Sequence, residues 1–501
     1  MKNKLIIFLL LTITCASCSK MLEIDSTRLV SEKNMWRSLE DSRAGLIGVY
    51  ALTKAALGDH NAHWLYGEMR TNEFISPNRE DLKAIAQNDL NAAYPSIEAL
   101  SNWRRWYAVI NSANIFLERI HEVRASDERY TENNMTVDIA QVRFLRAFAY
   151  FYMVRIWGDV PLITTSSEGT FLTKSREDSE KVLAWAEIEM LEAGDLLPYR
   201  YSNNDIQQQG NYYNESAGRW DGALVRKVTA YAVLAHLKAW QGNYADAAAY
   251  SKFVLDNYGR AGMGYISTSH LTGSNGFFFN KNINHLFGFN FDWGHAESSF
   301  TGHIEELTLA EPVVNKSVPD MYLPKETILS TFNEFNDQRF SIDTLGNPVN
   351  EDYFRNFNGK YPIFSKIKCI MGGSNDPTFR IFSSAIIFTR LEDIALLRAE
   401  ALAALGENVG AIELLDQMRE RRGLQKYSQS ANGELIDAIF RERNRELMGE
   451  GHRWYDLVRY HRIKNDNPAF TSLLRSGGIY WPISTDILNQ NKQIVQNDFW
   501  K

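Results

Sequence analysis

Two stretches of this chain carry residues whose types and spacing bear on chemistry. The first is Cys15-Ala16-Ser17-Cys18. In a folded protein a C-x-x-C makes a redox pair or one half of a zinc site. A redox pair belongs between a strand and a helix of a βαβ unit, and a four-cysteine zinc site needs more thiols than this chain offers, its one further cysteine being Cys369. Here the pair instead closes an apolar run at the N-terminus. Lys2 and Lys4 precede the apolar Leu5–Thr14 and small residues follow, which is the layout of an export signal and too short to cross a bilayer. The second stretch is ERNRELMGEGHRWYDLVRYHR, residues 442–462. On a helix Glu442 faces Arg445 and Glu446, and Glu446 faces Glu450, so carboxylates and guanidinium groups share one face. Glu446, Glu450, His452 and Asp456 are the right donors for a metal. The di-metal bundle motif sets Glu and His three apart, however, whereas Glu450 and His452 are two apart across Gly451, a residue that ends helices. Neither a metal nor another cofactor is expected. The reading is structural: Arg443, Arg445 and Arg453 fork onto carboxylates to pin the last helices, with Trp454 packed beneath.

Elsewhere the catalytic survey is negative. His121-Glu122 is followed by Ala125 where a zincin helix needs histidine, and no nucleophile elbow, Walker loop or dinucleotide fingerprint occurs. Among 61 Asp and Glu no glycosidase pair stands out. The formal charge is −7, and removing residues 1–17, which hold Lys2 and Lys4 and no acid, leaves −9. That argues against general nucleic-acid binding, which needs a concentrated basic surface. Aromatic residues make up 12% of the chain, with 12 Trp and 23 Tyr; most belong to a core, but such a surplus is also the material of stacking platforms for ligands.

The elements that must position these residues are mostly helical. Periodicity of the helical kind runs through about Trp36–Leu57, Asn102–Val123, Thr136–Trp157, Ser179–Glu192, Val225–Gln241, Ala245–Asn257, Phe388–Leu405, Val409–Arg421, Glu434–Met448 and Trp454–Tyr460. Two of the pairs repeat a spacing: Ala235, Gly242 and Ala247 in one, Ala399, Gly406 and Ala411 in the other. Small residues let paired helices approach and the glycine sits where the first must end, which is the tetratricopeptide kind of helix-turn-helix. Between about residues 260 and 388 Gly, Asn, Ser and Pro become frequent and short strand-like runs appear, such as His285–Phe291 and Ala385–Phe388. The fold class expected is mostly α, a scaffold of tetratricopeptide-like helix pairs with an irregular loop-rich lobe containing a few short strands. Loops on a rigid scaffold are where binding sites concentrate.

Ala16-Ser17-Cys18 resembles the last positions of a bacterial lipoprotein signal, which implies cleavage before Cys18 and lipidation of its thiol. Beyond the signal, the chain resembles over nearly its whole length the SusD/RagB-like lipoproteins of Bacteroidetes outer membranes. The resemblance is carried by Cys18–Ile24, WRRWYAVINSANIFLERI (Trp103–Ile120), RFLRAFAYFYMVRIWGDVPL (Arg143–Leu162), TRLEDIALLRAEALAALGE (Thr389–Glu407) with QMRERRGL (Gln417–Leu424), RERNRELMGEGHRWYDLVR (Arg441–Arg459) and the closing YWPISTDILNQNKQIVQNDFW. It implies a signal peptide over 1–17 and a single domain over 18–501, with the helical scaffold at about 30–260 and 385–501 and the insert at about 260–388. It also implies a binding protein rather than an enzyme, lipid-anchored on the cell surface at the outer membrane. Such a protein captures oligosaccharides, or for some members peptides, for import through a TonB-dependent, SusC-like barrel transporter. A surface glycoside hydrolase, or a peptide-binding or adhesion module on the same scaffold, is the alternative. Composition, not motif, nominates the ligand residues: Trp64, Tyr66, Asn72 and Glu73 in HWLYGEMRTNEF, and Trp293 and His295 after HLFGFNF in the insert. Flat aromatic faces flanked by side chains offering paired hydrogen bonds are what sugars require.

Overall fold

The computed structural model describes residues 35–166, 173–299, 301–371 and 380–501. Cys15, the segment 1–17 expected to be a signal peptide and Cys18, the residue expected to be lipidated, lie outside them. Among the described residues, ten helices have 12 residues or more: α1 Leu39–Gly58, α2 Arg104–Ser126, α3 Glu132–Trp157, α4 Ser179–Leu196, α5 Lys227–Gln241, α6 Tyr244–Asn257, α7 Leu391–Ala404, α8 Asn408–Arg421, α9 Leu435–Leu447 and α10 Arg453–Lys464. Their starts follow from local chemistry. Ser38 and Asp41 form a capping box ahead of α1, and the side chains of Thr131, Asp178 and Asn243 accept the first free N–H groups of α3, α4 and α6. α1 then buries Ser42, Gly45, Leu46, Val49, Thr53 and Ala56, one stripe at three-to-four spacing. In α3 nearly every side chain from Asn134 to Trp157 is buried, because α1, α2 and α4 pack round it.

The repeated spacing corresponds to two antiparallel pairs, α5 with α6 and α7 with α8, joined to each other through α6 and α7. Gly242 and Gly406 stand at the ends of α5 and α7 with φ of 78° and 82°, the left-handed region that a helix-ending residue needs and glycine adopts without strain. The strands are short and lie between residues 287 and 389: β1 Phe287–Phe289, β2 Ser341–Ile342, β3 Pro348–Asn350, β4 Phe354–Arg355, β5 Ile363–Phe364, β6 Ile370–Met371, β7 Ile381–Phe382 and β8 Ile386–Thr389. All four pairings are antiparallel and two-stranded, and β1 pairs with β8. That pairing claims Phe388, so α7 begins three residues later than helical periodicity suggests. Phe287 and Phe388 then pack on Phe148 of α3, with ring centroids 4.8 and 5.0 Å away, which fixes the lobe to the central helix.

Residues 442–462 do not form one continuous helix. α9 stops at Leu447, Gly449 and Gly451 turn the chain with φ of 76° and 79°, and α10 begins at Arg453. The guanidinium groups fork onto acids as their spacing suggests. Arg443 holds Asp456 through two bonds of 2.9 and 3.0 Å, Arg445 reaches Glu334 at 2.5 Å, and Arg453 reaches Glu73 at 2.8 Å. Glu446 takes Arg422, Arg390 and Arg339, while Glu450 takes Arg390 and Lys366. Burial opposes ionisation of Glu446, yet Arg422 and Arg390 hold its carboxyl well below the usual range. Trp454 is buried under Arg70, whose guanidinium lies 4.0 Å from its ring centroid. Glu446, Glu450 and Asp456, donors of the kind a metal takes, are instead neutralised by arginine and Lys366, and among the described residues no group of three or more His, Cys, Asp or Glu is placed to hold a metal ion.

Candidate functional site

A cavity of about 430 Å³ opens between α1, the segment 212–224 and the loop after β1. Its size falls in the range of small-ligand sites. α1 supplies Arg43, Ile47, Tyr50 and Lys54, a stripe at three-to-four spacing that lies beside the buried one and remains partly accessible. The segment before α5 supplies Tyr212, Tyr213 and Trp220, and β1 with its following loop supplies Phe289, Asn290, Asp292, His295 and Glu297.

The aromatic wall is fixed from behind by α3. Asp138, fully buried, accepts hydrogen bonds from Tyr130 at 2.8 Å, from Tyr213 at 2.6 Å and from Tyr212. One turn on, Gln141 donates to the Tyr212 hydroxyl at 2.9 Å and accepts from the Tyr50 hydroxyl at 2.8 Å. The Tyr50 oxygen in turn accepts the Val225 N–H at 2.9 Å, and the Trp220 indole donates to the Tyr212 carbonyl at 3.2 Å. Tyr213 sits at φ 50°, a conformation uncommon for a bulky residue, and its hydroxyl is shared by Asp138 and Ser42. Burial pushes the Asp138 carboxyl up to about 7, against the pull of the three phenols. The loop side is tied to α1 by charge. Lys54 donates to Glu297 at 2.8 Å and to the Asn290 carbonyl at 3.3 Å, Glu297 accepts the Asp292 N–H at 2.9 Å, and Asp292 pairs with His295 at 3.0 Å. Arg43 lies over Trp220 and Tyr213, 5.5 and 5.9 Å from their ring centroids. The result is a cavity floored by largely buried rings, Trp220 at 8%, Tyr213 at 6% and Phe289 at 5% exposure, with the more accessible Tyr50 and Ile47 beside them and donors and acceptors at the rim, which suits a ligand with apolar C–H faces and many hydroxyls.

The residues nominated from composition fall differently. Trp64 is 2% exposed and Tyr66 4%, both in the core. Tyr66 packs edge-on against Trp157 and Trp481, and its hydroxyl donates to the Leu100 carbonyl at 2.5 Å. Neither ring has a face left for a ligand, so this pair is corrected to a packing role. Glu73 is engaged by Arg453, and Asn72 is exposed at φ 57°, turning the chain after residues 69–71. Neither lines the cavity. His295 does, whereas Trp293, 45% exposed on the same short helical turn, lies outside its lining. Sequence reasoning missed Tyr50, Tyr213, Trp220 and Phe289. The signal available for them was the second stripe on α1, Arg43, Ile47, Tyr50 and Lys54, which mixes apolar and cationic residues where a solvent-facing stripe is usually polar throughout.

Comparison with known proteins agrees with this architecture. A profile described as the SusD family matches residues 201–473, and one described as "Starch-binding associating with outer membrane" matches residues 41–212. The chain belongs to the SusD family, a family of carbohydrate-binding proteins associated with the outer membrane. A SusD superfamily protein of Bacteroides thetaiotaomicron, solved at 1.50 Å, is 48% identical, covering 93% of this chain and 100% of that one with a TM-score of 0.85. A SusD-like protein of Formosa agariphila is 26% identical over 96% of this chain and 95% of its own. A laminarin-binding SusD-like protein shares the fold at 22% identity and a TM-score of 0.66, covering 92% of this chain and 99% of that one.

Proposed function

We propose that the protein captures oligosaccharides at the cell surface and delivers them to a TonB-dependent, SusC-like barrel transporter in the outer membrane, anchored there by lipid on Cys18. It acts by binding and does not cleave its ligand. The observation that carries the reading is the cavity wall of Tyr50, Tyr213, Trp220 and Phe289, held rigid by Asp138 and Gln141 and edged by Asn290 and charged side chains. Rigid aromatic surface costs little ordering entropy on binding, and rim groups supply the hydrogen bonds that orient hydroxyls. The laminarin-binding relative of the same fold is in keeping with a saccharide ligand.

Calorimetric titration with an oligosaccharide panel tests this. Trp220→Ala is expected to weaken binding about tenfold or more, since a stacked aromatic and its surroundings contribute ~1–3 kcal/mol. Tyr66→Phe, which removes only a core hydrogen bond, is expected to leave affinity unchanged. Products released from any bound oligosaccharide would overturn the binding-only reading, and a Cys18→Ala chain that stayed with the membrane fraction would overturn the anchor.

A further inference from the structure

The charges round the cavity do not cancel. Of its acids, Glu297 is taken by Lys54, and Asp292 pairs with His295, which offsets its charge only when protonated, so two acids of the lining face the four cations Arg43, Lys54, Arg219 and Lys281. Asp221, behind the wall, is taken by Arg200 through bonds of 3.0 and 2.6 Å. Apart from Lys54, three cations of the lining remain: Arg43 on α1, Arg219 in the segment before α5, and Lys281. Among the described residues the Lys281 ammonium donates only to the carbonyls of Gly218 and Arg219, at 2.7 and 2.9 Å. The Arg219 guanidinium is exposed and makes no hydrogen bond or ion pair among the described residues. Arg43 has one distant acid, Glu215 at 3.8 Å. Burial and then the neighbouring Arg219 charge hold the Lys281 ammonium below the usual lysine range, so the two cations already work against each other. A chain of net charge −7 thus presents a cationic end to its cavity, where an anion would relieve the repulsion and find unused donors.

Building on the glycan-binding reading above, we infer that the preferred ligand is an acidic oligosaccharide, its carboxylate or sulfate held by Arg219, Lys281 and Arg43 while neighbouring rings lie along Trp220 and Tyr50. Arg219 and Lys281 are exposed and half-exposed, so the variant Arg219→Gln/Lys281→Gln retains the fold. The full chain is titrated with tetragalacturonate, a κ-carrageenan tetrasaccharide, laminaritetraose and maltotetraose, each at low and high NaCl. The expected result is that an acidic probe binds about tenfold more tightly than either neutral one, loses that margin at about 0.5 M NaCl, and falls to the neutral level in the double variant. Neutral probes, which lose at most rim hydrogen bonds to hydroxyls, should change far less than the acidic one in the double variant and should not respond to salt. Which acidic probe binds tells carboxylate from sulfate. Tighter binding of a neutral probe, or acidic binding indifferent to salt and to the double variant, overturns the inference and leaves the glycan-binding reading standing. Silence from all four overturns both.

Discussion

A carboxylate has two oxygens, and Asp138 offers them to three phenols. Two of those phenols, Tyr212 and Tyr213, belong to the cavity wall, and the third, Tyr130, sits just before α3. Replacing one acceptor oxygen by an amide, as in Asp138→Asn, leaves at least one buried hydroxyl facing a donor. A buried polar group deprived of its partner costs ~1–3 kcal/mol, and here part of that cost falls on the left-handed turn at Tyr213. The variant is therefore expected to lose ~1–3 kcal/mol in urea unfolding and also to bind oligosaccharide more weakly, because Trp220 is held through the Tyr212 carbonyl. Urea curves and titrations on one preparation check both. Unchanged stability would show that the phenols find other acceptors, and lost stability with full affinity would separate the network from the site.

At the scale of elements, two kinds of glycine separate conformational from steric demand. Gly242, ending α5, has a left-handed φ with open space where a Cβ would stand, so Gly242→Ala carries only the backbone cost of ~1 kcal/mol. Gly67 lies where a Cβ would come within 2.0 Å of the Gly451 carbonyl oxygen, backbone against backbone. Gly67→Ala must push apart the segment 62–67 and the turn between α9 and α10. It is expected to cost well above 3 kcal/mol or to abolish soluble expression, while Gly242→Ala remains folded with a modest loss in melting temperature. Melting curves of the two variants decide it, and equal losses would refute the steric account. The pair also marks what was legible in the sequence. Gly242 was readable because its partners Ala235 and Ala247 stand in the same helical hairpin. Of the carboxylate and arginine clamp of α9 and α10, the local part, Arg443 and Arg459 on Asp456, was readable from spacing, whereas Glu334 on Arg445, Glu73 on Arg453 and Arg339, Arg390 and Arg422 on Glu446 come from distant segments that no local pattern names. Gly67 and Gly451 meet across most of the chain, as do Tyr66 and Trp481, and no local period reports such contacts. Trp64 and Trp220 both stand in short polar-aromatic stretches, and only the packing of distant elements leaves the second beside a cavity.

Over the whole molecule, buried titratable groups of two kinds set opposing pH trends. Burial raises the carboxyls of Glu68, Asp138 and Glu305 to about 8, 7 and 7. Burial likewise lowers His63 to about 3 and His285, His303 and His452 to about 4, with His236 lowered as well. The unfolded references are about 4 for carboxyls and about 6.5 for histidine. From about pH 4 to 6.5 the unfolded chain binds protons on histidine that the folded chain does not, so stability rises with pH through these five groups. The three raised carboxyls act the other way, because the folded state holds protons that the unfolded state has released, and their contribution is lost as pH climbs to about 8. Histidine outnumbers them in the first interval and is exhausted above about 6.5, where only the loss continues. Below about pH 4 the arginine-held carboxylates Glu446 and Asp456, with Asp393, which is held by His236, His452 and Arg443, reinforce the acid fall, since their lowered values make protonation unfavourable to the fold. Melting temperature is therefore expected to peak near pH 6.5 and to fall on both sides, more steeply toward acid. Asp138→Asn should flatten the fall above about pH 6.5 and steepen the rise between about pH 4 and 6.5, because it removes one of the three carboxyls whose contribution is lost across both intervals. Calorimetric scans from pH 3.5 to 8.5 in steps of half a unit, at fixed ionic strength, make the comparison on both chains. A melting temperature still rising at pH 8 in the native chain would mean that the three acids are ionised in the fold at neutrality, with partners able to hold their charge.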